Sequence, residues 1–94
     1  MSREGTPVAQ CRNLGPASEK ILLEIGIKTL SDLINIGAIE AFVNLAIKQN
    51  KIPNLNLLYA MLGAVEDRHW TDYRSQKGEL LLIVESQIEV RKKL

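Results

Sequence analysis

Residues 12–38 read RNLGPASEKILLEIGIKTLSDLINIGA, and the signal Asn13-Leu14-Gly15-Pro16 returns within them as Asn35-Ile36-Gly37-Ala38. Each copy stands where a turn opens an apolar helical pattern. Pro16 fits a first helical position, where its missing N–H leaves no bond unmade. Ile21, Leu22 and Ile25 then fall on one stripe, while Glu19, Lys20 and Glu24 lie away from it. Gly26 reads as the end of that helix. Thr29 or Ser31 caps the next, a short helix with Leu30, Leu33 and Ile34 inward that stops at Gly37.

Working outward, Ile39, Phe42, Val43, Ala46 and Ile47 give the spacing of an amphipathic helix over 38–49, closed by Pro53. Asn54 or Asn56 caps a fourth helix, LNLLYAMLGAVED, which is apolar on every side and therefore buried. Gly63 inside it is read as a place where another helix approaches closely. Glu66 to Asp72 is a polar connector in which Trp70 plugs the open end of the domain. A last helix is expected from about Ser75 to Lys92, with Leu81, Val84 and Ile88 as its main buried stripe and Leu80 beside it.

On the N-terminal side, Val8 and Cys11 share one face of a single turn between Pro7 and Arg12. The reading is an all-α fold: a compact bundle of about five helices with a tandem helix-hairpin-helix-like N-terminal half. Residues 1–8 are expected to be a disordered tail and 9–94 a single helical domain.

Composition agrees with one domain. The 94 residues are 46% hydrophobic but only 4% aromatic, so the core must be aliphatic, and Leu and Ile favour helix over sheet. The 12 Lys and Arg against 11 Asp and Glu leave a net charge of +1, without the basic excess of a dedicated nucleic-acid binder. A lone cysteine, Cys11, makes no internal disulfide and suits a reducing compartment. No stretch reaches the roughly 18 uninterrupted apolar residues of a membrane span. A cytoplasmic protein that uses no membrane is expected.

Two sets of residues carry candidate function. In a helix-hairpin-helix unit, backbone N–H groups at the start of the second helix seat a phosphate oxygen. Arg12, Asn13, Gly15, Lys20 and Lys28 make the candidate phosphate or DNA site around the first hairpin. The usual phosphate-gripping turn is Gly-hydrophobe-Gly followed by Lys or Arg, whereas both turns here begin with Asn, and Glu40 stands in the second. Arg68, His69 and Trp70 make the candidate partner-binding loop. His69 has no second His, and Cys11 is far away in sequence, so no metal site, cofactor, small-molecule substrate or catalytic residue is expected. The chain reads as no enzyme.

The run Arg12-Asn13-Leu14-Gly15-Pro16, with Ser18, Gly26-Ile27, Thr29, Asp32-Leu33, Gly37-Ala38 and Glu40-Ala41-Phe42, resembles the C-terminal domain of the TfoX/Sxy regulators of bacterial competence. Leu55 to Ala60, Gly63-Ala64 and Arg68-His69-Trp70-Thr71-Asp72 continue the resemblance, which runs from about Arg12 to Val84. It implies a small helical domain related to helix-hairpin-helix proteins, without enzymatic activity, in regulators that promote expression of DNA-uptake genes. Family members typically carry a separate N-terminal domain, so a stand-alone C-terminal domain is expected here. The leading expectation is a regulatory domain acting through a protein partner or self-association. The alternative is non-specific nucleic-acid binding through the first hairpin.

Overall fold

Five α-helices and two 3-10 segments account for the fold in a computed structural model that describes residues 5–93. A 3-10 turn at Val8–Gln10 precedes α1 (Pro16–Leu23), α2 (Leu30–Ile36), α3 (Ala38–Gln49) and α4 (Leu55–Glu66). A longer 3-10 segment, Trp70–Gln76, then leads into α5 (Lys77–Lys92). No strand occurs among the described residues.

The local chemistry behind these boundaries is plain. Thr29 accepts from the backbone N–H of Asp32, and the Asp32 carboxylate accepts in return from Thr29, a reciprocal capping box that starts α2. Gly37, at φ 94°, ends α2 and begins α3, and the two helices meet there at 87°. Asn54 caps α4 by accepting from Asn56 N. Asn50 and Asp67 close α3 and α4 in the left-handed conformation, which short polar side chains tolerate better than most.

The core is apolar throughout. Phe42, Leu22, Ile27, Leu33, Leu45, Leu58 and Met61 are its largest fully buried side chains, and no polar or charged residue is buried among the described residues. Removing surface of this kind from water stabilises by about 1.5–3 kcal/mol per large side chain. α5 is held to α3 by Arg91, which pairs with Glu40 and donates to Asn44. Lys48, near the end of α3, donates to Glu24 O at 2.6 Å just past α1.

Four expectations change. Of the tail expected over 1–8, residues 1–4 lie outside the described residues, but the rest is tied down. Thr6 O accepts from Leu30 N at 2.9 Å, Val8 N donates to Lys28 O at 3.1 Å, and Val8 is fully buried. The repeated triplet is not a repeated structure. In the first copy Asn13 takes the positive φ of 70° and Gly15 is extended, whereas Asn35 lies inside α2 and Gly37 takes the positive φ.

The last helix starts at Lys77, because the chain from Trp70 keeps 3-10 geometry through Gln76. Its buried side accordingly turns to Leu80 and Val84, with Leu81 and Ile88 only half-buried. Finally, no helix fills the space beside Gly63. What approaches there is a side-chain amide and a backbone carbonyl, and these organise the site.

Candidate functional site

The first turn and the connector after α4 are one structure. Asn13 donates from Nδ2 to Arg68 O at 2.7 Å and accepts at Oδ1 from Trp70 N at 3.3 Å. Its positive φ aims the amide across the molecule, and its bonds reach 55 and 57 positions along the chain. Arg12 donates to Asp67 O at 3.2 Å and pairs with the Asp67 carboxylate at 3.5 Å. The receiving end is built by the end of α4, where Arg68 N returns to Gly63 O at 2.8 Å. A Cβ at position 63 would stand 2.3 Å from Asn13 Nδ2 and 2.4 Å from Arg68 O, so only glycine leaves room for this clamp.

The clamp positions Trp70. The indole is half-buried against the core, with the His69 ring stacked on one side at 6.0 Å and the Arg74 guanidinium 5.8 Å from its centroid. Arg68 lies 5.9 Å from the Tyr73 ring and pairs with Asp72 at 3.3 Å. His69 Nδ1 accepts from Thr71 N and sits 2.7 Å from Thr71 Oγ1, which orients the ring through Nδ1. Below it, Tyr73 donates to Glu66. Burial first, and that bond second, push its phenol up to about 12.

Beside Trp70 opens a cleft of about 370 Å³. Ser18 and Ile21 of α1, Asn54, Asn56 and Leu57 at the start of α4, and Asn13 line it. None of its lining residues is charged: amides and a hydroxyl rim an apolar floor. Asn54 and Asn56 are shared with a neighbouring recess that adds Arg74 and Lys77. The arrangement suits an apolar side chain in the cleft with a carboxylate at its basic edge.

The two candidate sets are thus partly merged. Arg12 and Asn13, read as phosphate ligands, are spent on the connector that carries Arg68, His69 and Trp70. Gly15 caps α1 in an extended conformation, and nothing lies within 4 Å of where its Cβ would stand, so the start of α1 is open. Lys20 sits in the last turn of α1 and Lys28 beyond it, at the other end of a helix about 12 Å long. Arg74 and Lys77, which sequence reasoning missed, belong to the same face as Asn54 and Asn56, which were legible only as alternative helix caps. No group of three or more His, Cys, Asp or Glu side chains able to hold a metal occurs among the described residues. No single helix among them is long and apolar enough to cross a membrane.

Compared with known proteins, the chain matches the family model described as TfoX C-terminal domain over residues 5–83. No curated protein and no solved structure matches it.

Proposed function

Since this chain belongs to the TfoX C-terminal domain family, we propose that it is a non-enzymatic regulatory domain of the competence type that works by binding a protein partner in the bacterial cytoplasm. The partner contributes an apolar side chain to the cleft beside Trp70 and an acidic residue to the edge formed by Arg74 and Lys77. The observation that carries this reading is the Asn13 clamp, which fixes a half-buried indole at the mouth of an uncharged cleft. A rigid aromatic anchor beside a pocket is the usual source of binding energy in protein interfaces.

Trp70 is the chain's one tryptophan, so its emission reports on the site directly. The tagged chain is expected to recover a defined protein from a bacterial lysate, and the purified partner to shift Trp70 emission. Trp70→Ala should abolish recovery. Unchanged recovery by a folded Trp70→Ala variant sinks this reading.

A second reading, phosphate contact at the start of α1, is favoured by the open space in front of Gly15. Phosphate contacts release counterions, so affinity for duplex DNA should fall by roughly 0.9 log units per log unit of salt for each phosphate neutralised. Gly15→Glu meets no steric obstacle and is the matched control. Binding that ignores this substitution rules the first hairpin out.

A further inference from the structure

α5 carries two apolar faces, and the rest of the molecule uses one. Leu80 and Val84 are buried, and Arg91 pins the same helix to Glu40 and Asn44 of α3. On the far side Leu82 is 68% exposed, Ile83 43% and Val90 52%, three of the six large exposed hydrophobics among the described residues. At 100° per residue, Leu82, Ile83, Ser86 and Val90 form one stripe, with Glu79 at its N-terminal end and Lys93 at the other. We propose that this face of α5 is the contact between two copies of the chain, paired antiparallel about a twofold axis at Ser86.

The centre and the two ends of the stripe pair favourably across such an axis. Counting equally in both directions from Ser86, Leu82 falls opposite Val90 of a second copy, Glu79 opposite Lys93, and Ile83 opposite Glu89 at the stripe's edge. A twofold contact requires this reciprocity, since the same patch serves both subunits. Ser86 at the centre is small enough for the helices to approach. A parallel pairing would set Glu79 against Glu79 and Lys93 against Lys93, so charge selects the antiparallel one. Glu85 and Glu89 flank one edge of the stripe, and Lys93 already lies 3.7 Å from Glu89 on its own helix, which offsets part of that negative charge. Contact along 16 residues of helix, about 24 Å, is short for a permanent dimer and fits a reversible one.

Sedimentation equilibrium of the full chain over a concentration series tests this. A monomer–dimer equilibrium is expected. Leu82→Glu should weaken it by about tenfold or more, because each dimer loses two desolvated leucines, while the far-UV circular dichroism stays that of the parent. Glu79→Lys and Lys93→Glu should each weaken association, and the double exchange should restore it. Ser86→Cys should cross-link to itself on mild oxidation as a covalent dimer, with buried Cys11 as the unreactive background. A chain that stays monomeric at several hundred micromolar overturns the proposal. A dimer that survives Leu82→Glu, or a Ser86→Cys chain that fails to cross-link, overturns it equally.

Discussion

A methyl group at position 63 must displace both the Asn13 amide and the Arg68 carbonyl, and the second is backbone. Overpacking of this kind costs about 1–3 kcal/mol, so Gly63→Ala should lower the urea midpoint although alanine is the better helix former. Asn13→Ala should cost about 2–3 kcal/mol. It loses two hydrogen bonds and puts alanine, which tolerates the left-handed region less well than asparagine, at φ 70°. Asn13→Gly keeps the backbone conformation and loses only the bonds, so the gap between these variants in denaturant titrations measures the two contributions separately. The sequence announced that position 13 is a turn and position 63 a place of close approach. It did not announce that the two meet, because a bond between residues 13 and 68 leaves no local pattern.

Among the helices, α2 depends most visibly on its cap. Thr29→Ala should cost about 1 kcal/mol, read from the same titrations. Asp32 is held below its usual value of 3.8 by the N–H groups of Lys28 and Thr29 that donate to it. A depressed carboxyl stabilises fully above that usual value, and its contribution is lost as pH falls through the folded-state value. Thermal melts taken through the acid range should therefore show an acid limb that Asp32→Ala flattens.

Periodicity served well where a helix has one buried side: α3 begins and ends where its apolar spacing does. It misjudged α5, where Leu80 to Val84 is an unbroken apolar run and gives no phase. The 3-10 segment that sets the phase is fixed by tertiary contacts of Trp70 and Tyr73. The two Asn-hydrophobe-Gly triplets shared a spelling and took different conformations, because Asn35 had already been drawn into α2.

At the scale of the whole molecule, the end of α4 and the Trp70–Gln76 segment are locked together by Tyr73 and Glu66. The phenol is raised from 10.0 to about 12 in the folded state. Its contribution is complete below the unfolded value and is lost as pH climbs from 10 toward 12. Stability followed by circular dichroism should fall over that window, and Tyr73→Phe should fall less steeply. On the same face Arg12 and Arg68 are matched by Asp67 and Asp72, leaving Arg74 and Lys77 as the cations nearest the cleft.

The clamp also orders events in time. Asn13 leaves the ribosome 55 residues ahead of Arg68, an interval of roughly 3–11 seconds at ordinary bacterial rates of synthesis. Through that interval the Asn13 amide lacks the Arg68 carbonyl and the Trp70 N–H that hold it in the finished fold. The clamp is therefore closed only when Trp70 has emerged, and synthesis halted before residue 68 yields helices without it.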